Sequence, residues 1–160
     1  MEFTASLDKL AKWITIGIGV LFLGLIANAI LQSNSSQSIL LASATLLLVY
    51  GICWLYRPVK YTVTANELII SRPIGKVIIA RQDIAGVKML ERSNISYAVR
   101  TFGVGGLFGY FGKFYNTAFG HMTWYVTRRD NPVLITTNHN KKIIVSPDQN
   151  ERFAAALQTV

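Results

Sequence analysis

Trp13-Ile-Thr-Ile-Gly-Ile-Gly-Val-Leu-Phe-Leu-Gly-Leu-Ile-Ala-Asn-Ala-Ile-Leu31 and Ile39-Leu-Leu-Ala-Ser-Ala-Thr-Leu-Leu-Leu-Val-Tyr-Gly-Ile-Cys-Trp-Leu-Tyr56 are two apolar runs separated by the polar stretch Gln32-Ser-Asn-Ser-Ser-Gln-Ser38. No Asp, Glu, Lys or Arg occurs from residue 13 to residue 56. A charged side chain at mid-bilayer costs roughly 2.5–3.5 kcal/mol on insertion scales, so a spanning helix must exclude charge over about 20 residues. Both runs meet that condition. Buried helices of a soluble protein are the competing reading, but such helices keep a polar stripe toward water, and neither run has one. The sequence therefore predicts a transmembrane helical hairpin over 13–56, with a cytoplasmic amino-terminal segment over 1–12 and a separate domain over 57–160.

Orientation follows from the cations. Lys9 and Lys12 precede the first run, Arg57 and Lys60 follow the second, and the connector is uncharged, so both termini are expected on the cytoplasmic side of a multi-pass protein. Trp13, Trp54 and Tyr56 lie at those same ends, where amphipathic rings favour the headgroup layer. A cleaved signal peptide ending at Ala27-Asn28-Ala29 competes with this reading, yet the apolar run continues through Ile30 and Leu31. Gly17 with Gly24, and Ala44 with Gly51, are each seven residues apart and mark the expected seam between the two helices, or else a dimer face.

Of the 16 Lys and Arg, only Lys9 and Lys12 precede residue 57; of the eight Asp and Glu, only Glu2 and Asp8 do. The whole excess of +8 thus belongs to the last hundred or so residues. Such a field suits nucleic acid, an acidic protein or anionic lipid. Tethering next to a bilayer favours lipid, and no nucleic-acid motif is present.

That region reads as seven strands: Lys60–Thr64, Leu68–Ser71, Lys76–Ala80, Gly86–Leu90, Met122–Thr127, Val133–Thr137 and Lys142–Val145. Asn66, Pro73-Ile-Gly75, Asp130-Asn-Pro132 and Asn138-His-Asn140 supply turns between them. A helix of about three turns then follows Ser146-Pro-Asp-Gln149, read as a capping box, with Phe153 and Leu157 facing the sheet.

Several stretches carry a resemblance. Arg57-Pro58 with Tyr61-Thr-Val63, Ile79-Ala-Arg-Gln-Asp-Ile84-Ala-Gly-Val87, Arg100-Thr-Phe-Gly-Val-Gly-Gly-Leu-Phe-Gly-Tyr-Phe-Gly-Lys113, Val133-Leu-Ile135 and Ile144-Val-Ser-Pro147 resemble the bacterial pleckstrin-homology-like (PH-like) families in which a transmembrane hairpin precedes the domain. The resemblance implies an α+β chain: a two-helix transmembrane hairpin, then a PH-like seven-stranded β-barrel or sandwich capped by a C-terminal helix. It also implies the bacterial inner membrane as location. It does not supply a function. Phosphoinositide-binding PH domains carry basic residues in the first hairpin loop, whereas this chain has Ala65-Asn-Glu67 there.

The stretch from Arg92 to Gly120 is read as a long Gly/aromatic loop. Gly106-x-x-Gly109-x-x-Gly112 has a period of three and is neither a dinucleotide fingerprint nor a P-loop. Each of its rings would expose roughly 150–250 Å² that folding normally buries, so they must pack on the domain, enter the headgroup layer, or meet a protein. Arg100, Phe102, Phe108, Tyr110, Phe111, Lys113 and Phe114 are accordingly the candidate membrane or partner contacts. Arg72, Lys76, Arg128, Arg129, Lys141 and Lys142 form the candidate basic face.

Enzyme chemistry is not expected. Cys53 lies within the second apolar run, His121 and His139 have no metal-ligand spacing, and the acids are scattered, so no catalytic residue, metal or cofactor is assigned. The expected activity is noncatalytic binding of a protein partner, itself included, or of the anionic membrane surface. The alternative is a sensor of one lipid headgroup. Neither nucleic acid nor a small-molecule substrate is expected.

Overall fold

The computed structural model describes residues 1–31 and 37–158, so most of the connector between the apolar runs lies outside the described residues. In chain order the elements are β1 (Glu2–Thr4), α1 (Lys9–Leu31), α2 (Gln37–Tyr56), β2 (Lys60–Val63), β3 (Glu67–Ser71), β4 (Lys76–Ala80), β5 (Ile84–Met89), α3 (Arg92–Ile95), β6 (Val99–Gly106), β7 (Gly109–Asn116), β8 (Gly120–Val126), β9 (Val133–Thr137), β10 (Lys142–Val145) and α4 (Asn150–Gln158). The strands make two sheets. One is antiparallel in the order β1-β2-β3-β4; the other runs β5-β9-β10-β8-β7-β6 and contains a single parallel pair, β10 with β8.

The larger sheet is covered on both faces. Val133 and Ile135 of β9 join Tyr61, Leu68, Ile70 and Phe153 in the core between the sheets and α4, whereas Leu134 points the other way, into a core with Tyr110, Phe114, Trp124 and Ala11. This is the two-residue period of a strand acting on a continuous apolar run. The architecture is α+β, a two-sheet sandwich with a C-terminal helix, as the resemblance implies.

All seven expected strands are present; β1, β6 and β7 were not foreseen. The expected amino-terminal segment 1–12 carries a strand and the start of α1. Glu2, Phe3 and Thr4 pair with Thr62, Tyr61 and Lys60, and Phe3 is buried with its ring edge-on to Phe153 at 5.3 Å. Three residues are too few for a periodicity signal, which is why the sequence hides them. The consequence is topological. The helices α1 and α2 interrupt one domain between two paired strands instead of preceding it.

Both helix ends that meet the domain are tied to it. The Asp8 Oδ1 accepts from the Ala11 amide at 2.7 Å as an N-cap, and the Asp8 amide donates to the Thr127 carbonyl at 3.1 Å. The helix therefore starts four residues before Trp13, and Ala11 is fully buried on the sheet. At the other end the Ile74 amide, in the β3–β4 turn, donates to the Leu55 carbonyl, satisfying one of the carbonyls a helix C-terminus leaves open. Along the helices, the expected glycine seam is not used. Gly17, Gly24 and Gly51 face open space, and contact runs instead through Gly19, Phe22 and Tyr50.

Among the described residues α1 is the one helix long and apolar enough to cross a membrane; Leu41–Tyr56 of α2 is apolar but shorter, so the expected hairpin of two spans is met by length in one helix. Both expose large apolar side chains around their circumference, such as Val20 at 63% and Leu48 at 64%. The expected capping box of α4 is also corrected. The Ser146 hydroxyl accepts from the Thr127 amide at 2.8 Å, so it serves the sheet, and α4 begins at Asn150.

The two sheets share a buried polar contact. The Tyr61 hydroxyl donates to the Tyr125 carbonyl at 2.6 Å and accepts from the Ser146 amide at 3.2 Å. Burial pushes the Tyr61 phenol up to about 12, against the hydrogen bonds from Ser146, which favour the phenolate. Between pH 10 and that value the unfolded chain releases this proton while the folded chain keeps it, so stability falls with rising pH, by at most about 1.4 kcal/mol per unit. Tyr61→Phe is predicted to cost about 1–3 kcal/mol at neutral pH and to make this alkaline slope shallower. Denaturant titration of the purified chain across pH 7–12 reads both effects.

Candidate functional site

The Gly/aromatic stretch is a β-hairpin, not a loop. Gly103, Gly106, Gly109 and Gly112 all have φ of 121–126°, which explains the period of three: each is a mirror-image backbone position that a side chain resists. Gly103 and Gly112 are also register partners, and a Cβ on Gly103 would lie 2.8 Å from the Gly112 Cα. The two strands thus approach more closely than any other residue pair would permit. Regular alternation is broken at every third residue, and the strand signal with it.

The tip of this hairpin sits against both helices. Gly106 and Gly109 pair, leaving Leu107 and Phe108 as the turn, with Phe108 at φ 56°. Such a conformation costs a bulky residue about 1–2 kcal/mol, so surrounding contacts must hold it. The buried Phe108 amide donates to the Thr15 Oγ1 of α1 at 2.9 Å. Its ring packs edge-on to Tyr50 of α2 at 4.8 Å, and the Tyr50 hydroxyl donates to the Thr15 carbonyl at 3.3 Å. Arg57, just past α2, lies 5.7 Å from the Phe108 and Trp54 ring centres. Phe108 and Phe111 form a small apolar cluster with Cys53, flanked by Tyr50, Val104 and Leu107.

The expected contact residues therefore divide. Phe108, Tyr110, Phe111 and Phe114 are buried within the chain, so among the three surfaces considered for these rings they use the chain's own. Tyr110 and Phe114 belong to the domain core, where Phe114 stacks on Trp124 at 4.1 Å. Tyr110 also reaches the start of α1: its hydroxyl lies 3.4 Å from Asp8 Oδ1 and Arg129 stands 4.7 Å over its ring. Burial and the neighbouring Asp8 carboxylate push this phenol up to about 12. Phe102, in contrast, is 78% exposed. A β-bulge between Arg100 and Phe102 shifts the register there, and β6 is the unpaired edge of its sheet, with Val99 exposed as well.

The six expected basic residues do not form one face. Arg128 is engaged by Asp130 at 3.3 Å and Asp148 at 3.4 Å, and Arg129 covers Tyr110. Asp148 in addition accepts from Ser6 and Thr4; burial raises its carboxyl, but these hydrogen bonds outweigh burial and hold it below its ordinary value. Lys141 and Lys142 share a cleft with Lys113 beside β8, where Lys142 donates to the Phe119 carbonyl. Lys76 is exposed at the start of β4. Arg72 lies over the Tyr56 ring at 5.3 Å, next to the end of α2.

Arg72 and Lys113 are the charged residues of a cavity of about 610 Å³ between α2, the β6–β7 hairpin and β8. The sequence places Phe102 and Lys113 in one candidate set and Arg72 in another, with no signal that they meet, because Arg72 follows β3 of one sheet and the other two lie on β6 and β7 of the second. Among the described residues no group of His, Cys, Asp or Glu is arranged to hold a metal.

A family model described as a bacterial PH domain matches residues 59–160. The chain belongs to this bacterial PH domain family. The matched span covers β2 to α4, and so includes the hairpin and the cavity wall it supplies, but neither β1 nor α1 and α2. No curated protein and no solved structure matches the chain.

In this PH domain the Phe108–Thr15 hydrogen bond has a specific consequence. Thr15→Val keeps the shape and removes the acceptor, leaving a buried amide unpaired at a cost of about 1–3 kcal/mol; Thr15→Ser restores it. Hydrogen exchange of the amides at 107–109 is expected to quicken in the valine variant of the full chain and to stay slow in the serine variant.

Proposed function

We propose that the chain is a noncatalytic, membrane-anchored PH module whose α1–α2 pair crosses the bacterial inner membrane twice and holds the sandwich against the cytoplasmic leaflet. The observation that carries this reading is the pairing of β1 with β2. The span-length helix α1 departs from β1, and the chain must be back beside β1 by residue 60. If α1 crosses the bilayer, α2 has to return across it, because strands on opposite sides cannot hydrogen-bond. The apolar surface around both helices supports the same conclusion, since water-exposed patches of that extent are disfavoured. Lys9, Lys12, Arg57 and Lys60 at the domain end of the helices fit a cytoplasmic location.

Held this way, the domain works as a cationic surface at short range from anionic lipid, each well-placed Lys or Arg contributing about 1 kcal/mol. Ile74, exposed in the turn that bonds to Leu55, lies at the same level as the end of α2 and fits a headgroup-layer contact. The open edge of β6, with Val99 and Phe102 exposed, favours a second reading in which a protein partner, or another copy of the chain, adds a strand there.

Reporter fusions test the anchor. An insertion at residue 35 is expected to be active only with an exported reporter, and a fusion after Val160 only with a cytoplasmic one. Export activity at Val160, or cytoplasmic activity at both sites, removes the two-span reading.

A further inference from the structure

We infer that the cavity bounded by Arg72, Lys113 and the end of α2 is a binding site for one anionic phospholipid of the inner leaflet, its phosphate held by the two cations and one acyl chain lying along α2. The inference rests on the membrane-anchored reading above and assigns a defined occupant to it.

Apolar and cationic groups are segregated around the cavity. Its apolar wall comes from Ile52 and Cys53 on α2 and from Val104 and Phe111 on the β6–β7 hairpin. Its charged residues are Arg72 and Lys113, and no carboxylate lines it. Among the described residues neither cation forms an ion pair: Arg72 rests on Tyr56 with its Nε buried and unbonded, and Lys113 donates to the neutral Thr123 hydroxyl at 2.8 Å. An apolar cleft with two uncompensated cations is complementary to an amphiphile with an anionic head. A volume of about 610 Å³ lies inside the range of roughly 300–1,000 Å³ usual for small-molecule sites.

Position selects the amphiphile. Ile52 and Cys53 lie about one helical turn inward from Tyr56, at roughly 1.5 Å per residue, so the apolar wall is continuous with the membrane-facing surface of α2. Tyr56 and Arg72 then mark the depth at which rings and cations meet headgroups. A lipid can enter sideways from the leaflet without leaving it. The β-bulge at Arg100/Phe102 places the exposed Phe102 on the rim, where an acyl chain or glycerol backbone would cover it. Two cations acting on one phosphate also differ from diffuse attraction, since charge-assisted hydrogen bonds at fixed positions resist screening more than a smeared surface field.

The test uses the full chain reconstituted in bilayer nanodiscs of phosphatidylcholine with a minor share of phosphatidylglycerol of identical acyl chains, then released into neutral detergent for native mass spectrometry. One phosphatidylglycerol is expected to stay bound per chain, including after a wash at 0.5 M salt. Arg72→Gln with Lys113→Gln is expected to lower its occupancy at least tenfold. Val104→Trp, which fills the cavity and leaves both cations, is expected to do the same. Far-ultraviolet circular dichroism of each variant establishes that the fold is intact, and a variant that is not folded is replaced by Arg72→Lys and Val104→Phe, for which a graded loss is expected.

Equal retention of phosphatidylcholine, loss of lipid on salt washing alone, or full occupancy in a folded Val104→Trp chain each overturns the site. Displacement of the lipid by millimolar inorganic phosphate overturns it too, because the acyl chain would then contribute nothing. Extraction of the chain from native membranes by alkaline carbonate reports separately on the anchor: a chain that resists extraction but retains no lipid defeats only this inference, whereas an extractable chain defeats the reading beneath it.

Discussion

A buried amide at the hairpin tip, with the backbone bonds Asp8–Thr127 and Ile74–Leu55, places the sandwich relative to the helices. Phe108 stands at a positive φ at the tip of β6–β7, and its N–H is buried with one acceptor, the Thr15 hydroxyl of α1. A buried donor without a partner is costly, and a bulky residue in that backbone region is strained, so the tip is stable only where Thr15 and Tyr50 hold it. Because Tyr50 also binds the Thr15 carbonyl, the same four side chains and backbone groups fix α1 to α2 and both to the domain. The four positive-φ glycines of the hairpin let two strands run close enough to reach this crevice, and the Ala11 and Asp8 contacts set where α1 leaves the sheet.

That arrangement gives the cations their places. Arg57 is held beside Phe108 and Trp54, Arg72 beside Tyr56, and Lys113 across the cavity on β7, so three charges border the last turns of α2. Arg128 and Arg129 are committed elsewhere, to carboxylates and to an aromatic face. A net charge of +8 is therefore a poor guide to where this PH domain carries unpaired cations; among the described residues Arg72 and Lys113 border the end of α2 without an ion pair.

Much of this was readable in the sequence, for identifiable reasons. Strands with intact alternation and turn residues, from Lys60 to Ala80 and from Met122 to Val145, announce themselves, as do the two charge-free runs within α1 and α2. β1 was hidden by its length, and β6 and β7 by glycines at every third position. The aromatic excess of residues 102–119 signals rings that need a surface, and for Phe108 and Phe111 that surface includes Cys53 and Tyr50 of α2, a docking partner that spacing alone does not name. Ser146 shows the opposite error, a local capping pattern overridden because a buried sheet amide, that of Thr127, needed the hydroxyl more. The cavity was not legible at all, since Arg72, Lys113 and Ile52 are brought together by sheet order and helix docking, not by spacing.

Photocrosslinking from position 108 reads the docking of the hairpin tip on the helices. With p-benzoylphenylalanine in place of Phe108 in the full chain in native membranes, the docked tip predicts adducts within the same molecule, to the peptides carrying Thr15 or Tyr50. Adducts dominated by lipid or by another protein, with none to either helix, would contradict the account and return the hairpin tip to the role of an outward-facing contact surface.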